Sequence, residues 1–176
     1  MQCSVIVLGI ATLAAGGCVS YRTPSMFAQA TAGWAHPWTK HTSSDGMSLD
    51  LAVGVGEPGH NSGGGGGFSF RSTGDTQEVA LSLHHYEIIP LGKRFAMFGR
   101  VSVNLIEWDR VGSDDGGGIG GPSFELGFGA NGTGSPCIVA SARRDFRFGD
   151  RDDTFLGISV GLCALIPARD VPGLLP

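Results

Sequence analysis

The feature that most constrains this chain is an alternation of period two that runs through its C-terminal two-thirds. From Phe155 to Ile166 one parity reads Leu156, Ile158, Val160, Leu162, Ala164, Ile166, and the other Phe155, Gly157, Ser159, Gly161, Cys163, Leu165. Successive side chains of a β-strand point to opposite faces, so such a segment is a strand with one greasy face and one mostly small face. Six earlier segments repeat the arrangement: Met47–Gly56, Gly67–Thr73, Thr76–Ile88, Phe95–Trp108, Pro122–Ala130 and Cys137–Phe148. In the second, Phe68 and Phe70 alternate with Ser69 and Arg71; in the third, Val79, Leu81 and Leu83 alternate with Glu78, Ala80, Ser82 and His84. The expectation is an all-β, antiparallel domain.

The faces and the turns can be checked against each other. Thr73-Gly74-Asp75-Thr76 fits a two-residue hairpin loop with Gly first. That register sets Arg71 opposite Glu78 and Phe70 opposite Val79, so both faces match and an ion pair falls on the non-greasy side. A hairpin centred on Asp150 sets Cys137 directly opposite Cys163, again on the small face. Opposed antiparallel residues can reach disulfide distance, and the pairing predicts a Cys137–Cys163 bridge. In a chain-entropy model the bridge stabilises the fold by roughly 3–4 kcal/mol.

The non-greasy face argues for closure. A solvent-facing sheet surface is normally rich in Lys, Glu, Thr and Gln, whereas this one carries Gly, Ala, Ser and a few fixed charges. Small residues suit the crowded interior of a narrow barrel, where charges must pair. The charges are balanced: Asp50, Glu78, Glu125 and Asp145 against Arg71, Arg100, Arg143 and Arg147. These eight are expected to form lumen or core ion pairs. Two readings of the greasy face stay open. It meets lipid in a transmembrane barrel, or it meets itself in a lipocalin-like barrel or β-sandwich with an apolar core or cavity.

The N-terminal segment points to export. Ile6 to Ala15 is apolar apart from Gly9 and Thr12, ends in small residues and is too short to span a bilayer as a helix. Ala15-Gly16-Gly17-Cys18 resembles the lipobox of bacterial lipoproteins. That resemblance implies cleavage before Cys18, which would be diacylated and then N-acylated with a fatty acid such as palmitate. The strand-bearing region, roughly 47–166, resembles the small eight-stranded outer-membrane barrels of Gram-negative bacteria. That resemblance implies a closed antiparallel β-barrel of about eight strands, an envelope location in the outer membrane or periplasm, and a bilayer partner met through Cys18 and the barrel wall. The organisation expected is a signal peptide at 1–17, a lipid-anchor tether or N-terminal strap at 18–46, and a single barrel-like domain at 47–176. The strap is read as irregular, with at most a short strand around Met26–Ala30; Trp34 and Trp38 would pack on the wall or sit at a membrane interface. The connections 57–66 and 109–121 read as long glycine-rich loops.

Composition narrows function further. Twelve basic and sixteen acidic residues give a formal charge of −4 without any basic block, which does not suit nucleic-acid binding. His84 and His85 are adjacent in a strand and face opposite ways, so they cannot converge on one metal, and His36, His41 and His60 lack ligand spacing. No serine sits in a G-x-S-x-G elbow, and Cys137 and Cys163 are not spaced as C-x-x-C. No catalytic, metal or cofactor site is therefore expected. The functional expectation is an exported envelope lipoprotein with a structural or interaction role; the alternatives are a periplasmic or surface barrel binding a small apolar ligand, and, more distantly, an envelope enzyme.

Overall fold

The computed structural model describes residues 21–38, 45–74, 76–111, 114–118, 121–146 and 152–171. The expected leader with Cys18, as well as Arg147 and Asp150, lies outside them. In chain order the strands are β1 (Tyr21–Arg22), β2 (Pro24–Pro37), β3 (Gly46–Pro58), β4 (Ser62–Thr73), β5 (Thr76–Leu91), β6 (Phe95–Val111), β7 (Asp114–Gly118), β8 (Pro122–Ala130), β9 (Gly132–Phe146), β10 (Asp152–Ile166) and β11 (Asp170–Val171).

Eight of these strands close an antiparallel barrel. The hydrogen-bonded order runs β5-β4-β3-β2-β10-β9-β8-β6, and β6 pairs back onto β5. Closure leaves these strands without a free edge. β7 folds back on the end of β6, Asp114 pairing Val111. β1 and β11 form a short ladder that brings the two ends of the described chain together, Tyr21 opposite Val171.

The eighth wall strand is β2, which lies inside the segment expected to be an irregular strap. It pairs along its length with both β3 and β10, Ala30 opposite Leu51 on one side and Leu162 on the other. A second difference concerns the glycine run. Gly63–Gly66 belongs to β4, paired with β3 and β5, rather than to a loop. Together these shifts order the connections. At the end where β2 begins and β10 finishes, the barrel strands are joined by the short links 59–61, 92–94 and 131. The links 38–45, 74–75 and 147–151, and the β7 excursion between Val111 and Pro122, lie at the opposite end.

The hairpin predicted at Gly74 forms as expected: Thr73 pairs Thr76, Arg71 pairs Glu78 and Phe70 pairs Val79. Gly74 has φ of 54°, the left-handed conformation such a loop asks of its first residue. The Cys137–Cys163 disulfide also forms, with the Cα atoms 5.8 Å apart. Its register differs by two residues from the expected one. Cys137 pairs Gly161, and Cys163 pairs Ser135, so the bridge runs diagonally. A shift of two keeps both cysteines on the same face, so the bridge survives it.

Parity decides what faces where. The greasy parity points outward on every wall strand that shows it. Val53, Leu83, Leu105, Leu126, Ile158 and Val160 are all half exposed or more. The small parity points inward, burying Ala52, Glu78, Ala80, Arg100, Ser123, Ser159 and Cys163. The reading in which the greasy faces meet one another around an apolar core is therefore not what the fold adopts. The enclosed core is made instead from the exceptions on the small parity: Phe27, Tyr86, Ile88, Phe98, Val139 and Leu165.

Candidate functional site

Among the described residues the lumen gathers the buried charged groups, and it has two dissimilar halves. The half toward the 74–75 turn holds charges. Arg71 Nη2 donates to both carboxylate oxygens of Glu78, at 2.5 and 2.6 Å. The same carboxylate forms an ion pair with Arg143 Nη2. Glu78 is 2 % exposed and Arg71 5 %, so these charges are held by one another and not by water. Arg100 makes a two-point contact with Glu125: Nη2 pairs with Oε1, and Nε donates to Oε2 at 3.0 Å. Such bidentate geometry is the strong form of the guanidinium–carboxylate contact.

Neutral groups complete the network. Gln29 Nε2 donates to Glu125 Oε2 at 3.2 Å and to Thr31 Oγ1 at 3.1 Å. Arg143 Nη1 donates to Ser69 Oγ at 3.0 Å. Asn104, with its amide turned to suit its neighbour, accepts from Arg143 Nη2 at 2.7 Å and Nε at 2.9 Å. Ser102 and Ser123 share a hydrogen bond of 2.5 Å across β6 and β8. The Arg71 guanidinium lies over the Phe155 ring, 3.5 Å from its centroid, a cation–π contact. A cavity of about 50 Å³ remains among these groups, bordered by Asp50, Arg71, Arg100, Glu125 and Arg143.

Local sequence explains why these residues meet. Each sits on the inward parity of its strand, and the pairing sets partners on the same rung: Arg71 opposite Glu78, and Arg100 opposite Glu125. Arg143 pairs Ser123 on β8 and Phe155 on β10, and its side chain crosses the lumen to Glu78. The expected ion-pair residues Arg71, Glu78, Arg100, Glu125 and Arg143 are thus brought together, and Asp50 borders the same cavity. Asp145 lies in β9, but its side chain is outside the described part, as is the whole of Arg147.

The other half of the lumen is aromatic. Phe27 stacks on Tyr86 with ring centroids 5.1 Å apart and meets Phe98 edge-on at 5.0 Å. Tyr86 donates its hydroxyl to the Ser25 carbonyl at 3.1 Å, so its one polar atom is satisfied. Inward glycines make room for these rings. A Cβ on Gly127 would lie 2.2 Å from Phe98 Cε1, and one on Gly54 would lie 2.7 Å from Tyr86 Cε1. Large and absent side chains therefore interlock across the lumen, and the cross-section is filled. His84 packs against Phe27 with centroids 5.9 Å apart, and neither ring nitrogen has a hydrogen-bond partner among the described residues.

The adjacent histidines divide as parity requires: His84 is buried in the lumen and His85 is exposed on the outside. Trp34 lies on the outer wall, stacked on His36 with centroids 5.3 Å apart, and His36 Nδ1 contacts Asp45 at 2.6 Å. Trp38 follows, 69 % exposed. Among the described residues, no cluster of three or more His, Cys, Asp or Glu is placed to hold a metal. Sequence reasoning missed Gln29, Asn104 and Phe155 as members of the charged network, and Phe27 and Phe98 as the lumen plug. Asn104 and Phe155 were visible as inward-parity residues; Gln29 and Phe27 were hidden because β2 itself was not recognised. No protein-family model matches this chain, and neither does any curated protein sequence.

Proposed function

We propose that this chain is a transmembrane β-barrel of a Gram-negative outer membrane, tethered in addition by a lipid on Cys18, with a structural or interaction role. One observation carries the reading: the barrel wears its apolar side chains outside and its charges inside. Met47, Leu49, Leu51, Val53 and Val55 form one unbroken outward row on β3. Leu156, Ile158, Val160, Leu162, Ala164 and Ile166 form another on β10. Contiguous apolar surface on this scale is uncommon on soluble monomers and suits a hydrocarbon environment. A closed barrel also satisfies every backbone group of its wall, which lipid demands. The arrangement of links supports the same reading: those on the side of the chain ends have three residues or fewer, and three of the four opposite are longer, which is the habit of outer-membrane barrels.

The lumen supports a structural role. Its arginines and carboxylates engage one another, and the remaining cross-section is filled by rings.

The test is detergent dependence. The chain lacking residues 1–17, with Cys18→Ala, is expected to fold only in detergent or bilayers and to migrate differently on gels with and without boiling. A soluble monomer in plain buffer would overturn the proposal. Incorporation of labelled palmitate into the full chain, lost on Cys18→Ala, checks the anchor separately.

A further inference from the structure

The Cys137–Cys163 bridge lies inside the closed wall. Cys137 is 6 % exposed and Cys163 1 %, and both belong to one buried cluster with Phe27, Tyr86, Phe98, Val139 and Leu165. The packing around the bridge is close. A Cβ on Gly129 would stand 3.0 Å from Cys137 Cβ and 3.4 Å from Leu165 Cδ1. The cavity among the lumen charges is in the other half of the barrel, and neither cysteine borders it.

Making the bond needs more room than this. One cysteine thiolate attacks a sulfur of a donor's disulfide, expels the donor's first thiolate and leaves a mixed disulfide. The second cysteine's thiolate attacks the protein sulfur of that mixed bond and expels the donor's second thiolate. Two protein thiols give up two protons and two electrons, and the donor's disulfide becomes two thiols. The mixed disulfide hangs the donor's substituent from Cys137 or Cys163, where the finished barrel packs rings and aliphatic side chains.

The bond needs little of the fold in order to form. Its cysteines are 26 residues apart, in the two strands of one hairpin, and Cys163 pairs Ser135, two residues before Cys137. The cover arrives from farther along the chain. Phe27 belongs to β2, and the β2–β10 pairing joins the first and last strands of the wall. Tyr86 and Phe98 come from β5 and β6.

We propose that Cys137 and Cys163 are a modification site of the open chain: a disulfide donor oxidises them before the wall closes, and closure then puts the bridge out of reach of donors and reductants alike. The chain is thus a substrate for thiol–disulfide exchange in an oxidising compartment, and that reaction precedes completion of the barrel. The inference rests on the closed wall and the buried bridge, and holds whether lipid or water lies outside.

The experiment compares one chain in two states. The full chain carrying Cys3→Ser and Cys18→Ala keeps Cys137 and Cys163 as its only cysteines. It is reduced, held unfolded in urea or folded in detergent (in plain buffer if the barrel is soluble there), and mixed with oxidised glutathione. A maleimide mass tag counts the remaining thiols over time, and circular dichroism reports folding. Oxidised glutathione is the most permissive probe, because a protein disulfide donor is larger and meets the same wall. The expected result is a bridge that forms in the unfolded chain and at least about thirtyfold more slowly in the folded one. Where the reduced chain does not fold, the native bridge is challenged with dithiothreitol instead, and its reduction is expected to be slowed by the same factor in the folded barrel relative to urea. A smaller ratio in the arm that is run overturns the proposal, because the sulfurs are then open to exchange in the finished barrel.

Discussion

The two halves of the lumen solve the same packing problem by different physics. Toward the 74–75 turn, Glu78 holds two arginines and Glu125 holds a third. Toward the chain ends, Phe27, Tyr86 and Phe98 interlock with glycines. Buried ion pairs add little net stability because desolvation offsets most of their attraction, yet removing one member is costly. Rings against glycines stabilise by burial and shape, and answer to volume. The charged half thus favours the register that completes its pairs, while the aromatic half supplies cohesion. A slip of one rung would turn every lumen charge toward the outside.

The largest effect should come from breaking the charged half at its shared member. Glu78→Gln leaves Arg71 and Arg143 facing each other without their carboxylate. The expected loss is roughly 3–5 kcal/mol, measured by urea titration of the barrel folded in lipid vesicles. Pairing the change with Arg143→Met should recover part of the loss, because one uncompensated charge leaves with it. If Glu78→Gln costs no more than a surface substitution, the charged half is hydrated and the comparison collapses.

The aromatic half is probed by adding volume where it has none to give. Gly127→Ala places a methyl 2.2 Å from the Phe98 ring, and β8 cannot shift without disturbing its pairing with β6 and β9. A loss of about 2 kcal/mol is expected, at the middle of the range for overpacking. Near-ultraviolet circular dichroism should report the displaced rings. The same Gly→Ala change at Gly99, on the outside, should leave stability nearly unchanged, and that contrast measures how tightly the lumen is filled.

Parity made much of this legible before any coordinates. That Arg71, Glu78, Arg100, Glu125 and Arg143 share the lumen, where the Gly74 hairpin turns, and that Cys137 and Cys163 bond all follow from period two and a turn signal. Parity fixes a face but not a rung, and so the cysteine register came out two residues away. β2 was hidden for a chemical reason. Its outward row reads Met26, Ala28, Ala30, Ala32, Trp34, small through its middle, and its inward row holds Phe27 among Ser25, Gln29 and Thr31, so the usual contrast of greasy and small is blurred. Gly63–Gly66 was hidden because glycine has no side chain with which to alternate. Missing both also concealed the order of the links. The plug was missed because Tyr86 and Phe98 are large residues on the small parity, and their fit depends on glycines of other strands, which no local pattern reports.

Both halves of the lumen are compared on the premise that lipid, not water, lies outside the wall, and the smallest effect tests that premise by its sign. Leu162 is 56 % exposed on β10, between Ala30 of β2 and Pro136 of β9. In a bilayer its side chain leaves water on folding, so Leu162→Ala forfeits transfer free energy of about 1–2 kcal/mol. No cavity penalty is added, because fluid acyl chains fill the space, and the loss stays below that of an inward truncation. On a barrel standing in water the same side chain would remain largely solvated, and the change would be neutral or slightly stabilising. Urea titrations in vesicles resolve the two signs. A neutral or stabilising result at Leu162, with Glu78→Gln still costly, would keep the contrast between the halves and remove the lipid from around them.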